Sequence, residues 1–398
     1  MKKYVIVTGG QLFNKGAQAM TFIVVNEIAK RYPQYKVVVV SANDSKRSDE
    51  EKDNYKFDII APAKVSVMEN ILFSQTLSRN IYLKITRNPD LNSYCDYLEN
   101  AAALIDISGY ALGSNWGNSS AISYFNIIAL AKSKNVPVYI MPQSFGPFDF
   151  TGIRGKYTMA MLKSILSYPR VIMAREEEGK NALIENFKLK NVIKTPDMVL
   201  IGEDIDLNNI YKKVPEKTSL EISSSSVAII PNSQNDKYGD KEELLRVYHE
   251  IIDLLLNMGK QVYLVFHSSE DKKLCVMLKA QYPSEPNVVF IDKELTCYEF
   301  EKAVRKFDFV IASRFHSIVL AYKNATPAII MGWATKYKEL AVSVKQEQYQ
   351  FDVRNGIGLD TITATIKRMN DNFKAESNVI RSQLDVFQKQ NLFDYIVL

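Results

Sequence analysis

Short runs rich in Val and Ile, each followed by a longer stretch of helical period, recur along both halves of this sequence, and that alternation restricts the chain to parallel strands joined by crossover helices. In the first half the runs fall at 4–8, 36–41, 103–107, 136–141 and 171–174, with helical stretches that include 16–32 and 119–134. In the second they fall at 227–231, 261–266, 288–291, 309–312 and 328–331, most of them separated by helices at 241–258, 297–306 and 317–324. Between the halves, residues 197–226 are polar, carry Pro215 and a serine run at 223–226, and show no strong period. After Gly358 the composition turns helical, with Ile362, Ile366 and Met369 at helical spacing. The expected organisation is an N-terminal domain over 1–200, a linker over 201–226, a C-terminal domain over 227–358, and helices over 359–398. In fold class this is α/β: two Rossmann-like doubly wound domains facing a cleft, the glycosyltransferase B type, closed by C-terminal helices.

Composition agrees with two domains, because 398 residues at 46% hydrophobic supply more apolar material than one ordinary core needs. Fifty Lys and Arg against 45 Asp and Glu leave +5, too dilute an excess to bind nucleic acid. The three histidines (His249, His267, His316) and three cysteines (Cys95, Cys275, Cys297) lie far apart, with neither zinc-ligand nor disulfide-framework spacing. The apolar run after Met1-Lys2-Lys3 is too short for a secretory core, and no stretch of about 18 apolar residues occurs. A cytoplasmic protein without a metal centre is the expectation.

In a doubly wound fold the ligand lies beyond the carboxyl ends of the strands, so the polar residues that follow each strand are the ones to weigh. Ser313-Arg314-Phe315-His316 stands between a strand and a helix start, where free amides, the planar Arg314 fork and a histidine suit anion binding with acid/base chemistry. The structural alternative is a capping serine and a core histidine. Arg175 heads an acidic run, Glu176-Glu177-Glu178, and is either a ligand group or a partner of its own glutamates. Pro142-Gln143-Ser144-Phe145-Gly146-Pro147-Phe148 is a fixed loop that either lines the cleft or packs its two aromatics inward. Asp106, before Ile107-Ser108-Gly109-Tyr110, is either a base or a helix cap or arginine partner. The loop from Gly9 to Gly16 is neither GxGxxG nor a P-loop. Asp204-Ile205-Asp206 has a metal-binding carboxylate spacing, but it falls in the linker.

Taken in order, Asn14-Lys15-Gly16-Ala17, the Pro142–Phe148 loop, Ala174-Arg175-Glu176, Pro196-Asp197, Ser313-Arg314-Phe315-His316 and Lys336-Tyr337 resemble the polysaccharide pyruvyl transferase family. The resemblance implies a glycosyltransferase B-like fold and transfer of the enolpyruvyl unit of phosphoenolpyruvate to two hydroxyls of one sugar. The product would be a cyclic ketal, expected as a 4,6-ketal of galactose or a hexosamine in a surface or capsular polysaccharide, with phosphate released. It places Arg314, His316, Lys336, Ser313 and Arg175 on the donor, with His316 as acid and Asp106 as base. Asn14, Gly16, Gln143 and Ser144 would line the acceptor side of the cleft, while Tyr110, Asn115 and Trp116 match no assigned motif. Two arginines and a lysine would neutralise the donor's carboxylate and phosphate without a metal ion or other cofactor. A lipid-linked oligosaccharide acceptor would bring the protein to the inner face of the membrane. The same two-domain pattern also suits a nucleotide-sugar-dependent glycosyltransferase.

Overall fold

The computed structural model describes residues 2–63, 88–216, 220–387, 389 and 391–398. Within these, thirteen strands form two all-parallel sheets. The first has the order β3-β2-β1-β4-β5-β6-β7, built from Tyr4–Thr8 (β1), Lys36–Val40 (β2), Asp58–Ile60 (β3), Ala101–Asp106 (β4), Val138–Gln143 (β5), Val171–Ala174 (β6) and Val192–Lys194 (β7). The second has the order β10-β9-β8-β11-β12-β13, from Ser226–Ile230 (β8), Gln261–Val265 (β9), Val288–Ile291 (β10), Phe309–Ala312 (β11), Ala328–Gly332 (β12) and Gln350–Asp352 (β13). Strand order reverses beside β1 and β4 in one sheet and beside β8 and β11 in the other, which opens a crevice at each reversal. Central strands are buried on both faces, as their unbroken Val and Ile runs require: Val5, Ile6 and Val7 are fully buried, as are Val227, Ala228 and Ile229.

The chain departs from the sequence reading in four places. Edge strands β3, β7 and β13 are three residues each and too short to leave a pattern. The strand expected at 136–141 runs instead over Val138–Gln143, because the Val136 N–H closes the preceding helix on the Ala131 carbonyl. The expected linker is not featureless. Helices Met198–Ile201 and Leu207–Ile210 occupy its start, although residues 217–219 lie outside the described residues. Finally, the C-terminal region is one 29-residue helix, Leu359–Phe387, followed by a short turn that returns to the first domain. There Tyr139 Oη donates to the Val397 carbonyl (2.8 Å), and Tyr32 Oη to that of Ile396 (2.8 Å).

One apolar cluster runs without a break from Phe22, Ile23 and Leu200 in the first domain to Ile318, Val319 and Tyr322 in the second. The domains are therefore joined by a shared core rather than by a tether. Helix Met198–Ile201 lies on helix Phe315–Lys323, and helix Lys15–Arg31 on helix Cys297–Val304. This seam fixes how the ends of β6 and β7 face the ends of β11 and β12. Among the described residues, no helix is long and apolar enough to cross a membrane.

Candidate active site

The site is assembled on the Ser-Arg-Phe-His turn at the reversal of the second sheet. Arg314 is the N-cap of helix Phe315–Lys323. Successive side chains near a helix start diverge by about a quarter turn each, so the four point in different directions. Ser313, 1% exposed, turns into the domain core, where its Oγ lies 3.0 Å from Tyr248 Oη. Arg314 holds Asp271 with two bonds (Nε to Oδ2 2.8 Å, Nη2 to Oδ1 2.7 Å) and also reaches Glu270. Phe315 lies under two cations, with its ring centroid 4.6 Å from the Arg175 guanidinium and 5.2 Å from Lys336 Nζ. His316 turns toward the first domain, with Nε2 3.8 Å from Asp197 Oδ2.

From the facing sheet, Arg175 follows β6 and is almost fully buried. It donates to Asp197 Oδ2 (2.7 Å), Ser144 Oγ (2.7 Å) and the Gly109 carbonyl (3.0 Å), which leaves Nε without a hydrogen-bond partner. Asp197 caps the next helix through the Val199 N–H (2.8 Å). Burial would raise its pKa, but the charge of Arg175, that of His316 once protonated, and the bonds from Arg175 and Val199 hold it below the ordinary carboxylate value. Lys336, at the start of helix Thr335–Ser343, has ring contacts but no hydrogen bond or ion pair; burial and the neighbouring Arg175 push its pKa down to about 8, so it is still a cation at neutral pH. His316 behaves differently. Burial lowers its pKa to about 4, outweighing the help of Asp197, so at neutral pH the imidazole is neutral. Arg175, Asp197, Phe315 and Lys336 share the wall of a cavity of about 420 Å³ between the two domains.

Several expectations need correction. The two arginines are not free to neutralise a ligand by themselves, because each already holds a buried carboxylate, and a guanidinium buried without one would be strongly destabilising. Lys336 alone of the three expected cations lacks such a partner. Asp106 does not present a free carboxylate: Thr8 Oγ1 (3.2 Å) and Ser108 Oγ (2.5 Å) donate to one oxygen, and Tyr124 Oη and Gln143 Nε2 (both 2.7 Å) to the other. It anchors the end of β4. Ser313 faces the core and not the cleft. Asn14 caps helix Lys15–Arg31 by accepting from the Gly16 and Ala17 N–H groups, and Gln143 is fully buried against Asp106. Ser144 bridges Arg175 and Glu176, to which it donates at 2.8 Å. Phe145 and Phe148 pack into the first domain's core. Asp204 pairs with Arg305 (2.9 Å) and Asp206 caps a short helix. Among the described residues, no group of three or more His, Cys, Asp or Glu could hold a metal ion. Tyr110 donates to the Gly146 carbonyl (2.7 Å) and accepts from Asn115 (3.1 Å), while Trp116 packs edge-on against it half-exposed.

Gly16 is at the site for a steric reason. A Cβ there would come within 2.3 Å of the His316 ring. Gly16→Ala is therefore expected to displace the imidazole, destabilising the fold by about 1–3 kcal/mol and lowering turnover; a melting curve and a rate measurement on the same variant check both. Two groups escaped the sequence reading. Lys15, buried, donates from Nζ to the His267 carbonyl at 2.7 Å and so ties the first domain to the second. His267 is 2% exposed with neither ring nitrogen hydrogen-bonded, and burial followed by the charge of Lys15 keeps it neutral. Its position directly after the run at 261–266 was the available signal.

A glycosyltransferase from Rickettsia africae shares this fold at a TM-score of 0.55 and 12% identity, with 99% of this chain and 98% of that one covered. A UDP-GlcNAc 2-epimerase from Neisseria meningitidis, bound to UDP-GlcNAc, gives 0.56 and 11% over 98% and 99%. The epimerase from Methanocaldococcus jannaschii gives 0.55 and 13% over 96% and 99%. At such identities the likeness is one of fold, and the fold is the glycosyltransferase B type. No curated protein matches the chain. The model of one family, polysaccharide pyruvyl transferase, matches residues 14–335, from the Asn14 cap that seats Gly16 against His316 to the start of the helix that carries Lys336. This chain belongs to the polysaccharide pyruvyl transferase family.

Proposed function

We propose that the protein transfers the pyruvyl unit of phosphoenolpyruvate to two hydroxyls of one sugar, a 4,6-ketal on galactose or a hexosamine, during assembly of a surface or capsular polysaccharide. The observation that carries this reading is the meeting of Arg175, Lys336 and His316 around Phe315 between the two domains. Phosphoenolpyruvate is a small trianion, and Lys336 is a half-buried cation without a carboxylate partner beside an arginine with an unused N–H. Neutralisation of the donor then comes from side chains, so the reading needs no metal ion or cofactor.

The chemistry balances with one proton-transferring residue. His316, once protonated, delivers its proton to the donor's methylene carbon, and positive charge develops at the adjacent carbon. A sugar hydroxyl attacks that carbon, and its proton returns to the imidazole. The carbon–oxygen bond to phosphate breaks, helped by Lys336 and Arg175. The second hydroxyl closes the ring, and its proton leaves on the phosphate. Of the two hydroxyl protons one ends in the new methyl group and one on inorganic phosphate. Asp106 is not used, because four donors already occupy its oxygens.

Incubation of the purified protein with phosphoenolpyruvate and a panel of galactosides and hexosamine glycosides is expected to release phosphate with at least one acceptor, equally with and without chelator. Phosphoenolpyruvate is expected to raise the melting temperature where uridine and guanosine diphosphate sugars do not. Stabilisation by a nucleotide sugar, with no phosphate release, would instead favour a conventional glycosyltransferase. A lipid-linked acceptor would place the reaction at the inner face of the membrane.

A further inference from the structure

Thr195 follows β7 directly and forms part of the wall of the cavity beside Phe315. Its N–H donates to the Ala174 carbonyl (3.0 Å), which fixes the residue against β6. Although only 4% exposed, its Oγ1 has no hydrogen-bond partner. Arg175 Nε, on the same wall, is also without one. Lys336, also on that wall, has only ring contacts. Three donors, on residues from three different elements that border one cavity, thus make no hydrogen bond, although the Glu176 carboxylate lies 3.7 Å from Arg175 Nε.

The acidic groups there are already engaged. Glu176 accepts from Ser144, Asp197 from Arg175, and Glu339 from the Glu177 N–H (3.0 Å). A buried hydroxyl left unpaired is unfavourable, and a valine of the same shape would fill this position without that cost. The cost is recovered when an acceptor arrives. Because the three wall residues' donors left without a hydrogen bond are a hydroxyl, a guanidinium N–H and an ammonium, the acceptor they suit is an anion with several oxygens.

We propose that Thr195 is a substrate-contacting residue, donating from Oγ1 to one anionic end of the donor, a carboxylate or a phosphate, in concert with Arg175 Nε and Lys336 Nζ. This deepens the pyruvyl-donor reading and rests on it.

The test compares Thr195→Val, which removes the hydroxyl and keeps the shape, with Thr195→Ser, which keeps the hydroxyl. Phosphoenolpyruvate affinity is expected to fall roughly 10-fold in the valine variant, as for loss of a hydrogen bond to a charged group, and to be largely retained in the serine variant. Without ligand, the valine variant is expected to melt at the wild-type temperature or above. A purely structural threonine would give the opposite pair of results. Inorganic phosphate and pyruvate, titrated separately, identify the end that is held: the one whose affinity drops in the valine variant. Equal phosphoenolpyruvate affinity in wild type and valine variant, or a lowered ligand-free melting temperature in the latter, overturns the assignment of Thr195. Failure of the wild type to bind phosphoenolpyruvate overturns the donor reading itself, and this proposal with it.

Discussion

Replacing His316 with glutamine is expected to lower turnover by about 10²-fold or more while changing donor affinity only a few fold, because glutamine keeps bulk and hydrogen bonding but cannot carry a proton. Its surroundings in the fold make this group a poor acid. Burial, with Arg175 and Lys336 acting in the same direction, leaves its pKa at about 4. A bound anion reverses the balance. One net negative charge about 4 Å away is worth roughly 4 kcal/mol at an effective dielectric of about 20, or about 3 pKa units, enough to bring the imidazole near neutrality. Donor binding should therefore draw in a proton, measurable by calorimetry in buffers of different ionisation enthalpy and absent in the glutamine variant. Since the acid form is required, kcat/KM should fall as pH rises from about 4, the value in the free protein, whereas kcat should hold to about pH 7. Stability gives an independent sign. The folded pKa lies below the unfolded 6.5, so stability from this group is complete above 6.5 and is lost as pH falls toward 4, by roughly 3 kcal/mol in all. The glutamine variant should lack that loss. Wild-type turnover in the variant, or one shared ionisation in kcat and kcat/KM, would contradict the assignment.

How much of this was legible in the sequence depends on what each residue's environment is made of. The ten longer strands were readable because central parallel strands are buried on both faces and must be apolar throughout. The Ser-Arg-Phe-His turn was readable because polar residues directly after such a strand have few places to go but the ligand crevice. What each side chain there touches was not. The partners of Arg314 and Arg175, Asp271 and Asp197, lie 43 and 22 residues away along the chain, and spacing says nothing of such pairings. Asp106 illustrates the same limit. Its place at a strand end fits a base as well as an anchor, and only the four donors from β1, the loop after β4, the helix Gly117–Ser133 and β5 decide between them. The apolar seam between the domains was hidden too, because a helix face that packs on another domain has the same period as one that packs on its own.

Removing the Asp197 carboxylate should produce the largest loss of stability at the site. Arg175 is buried beside it, so Asp197→Ala would leave a guanidinium without its counter-charge, a change that typically destabilises by about 3–5 kcal/mol, and would also uncap the helix at Val199. Asp197→Asn separates these effects: it keeps the cap and the shape but loses the charge, so it should destabilise less. It should also impair turnover, because Asp197 is the group that favours the protonated form of His316. Thermal unfolding with and without phosphoenolpyruvate makes the distinction sharper. If the donor's anion lies against Arg175, it supplies the missing charge, and the melting temperature of the asparagine variant should rise more on donor binding than that of the wild type. The pH dependence has a defined sign. The carboxyl pKa is lower in the folded protein than its ordinary 3.8, so the stabilisation is present above that value and is lost as pH falls through the folded one. Wild type and variant should therefore differ fully at neutral pH and converge only below about pH 4. An Asp197→Ala protein as stable as wild type would mean that Glu176, 3.7 Å from Arg175 Nε, takes over as counter-ion, and the pairing argued here would not be what holds Arg175 in the cleft.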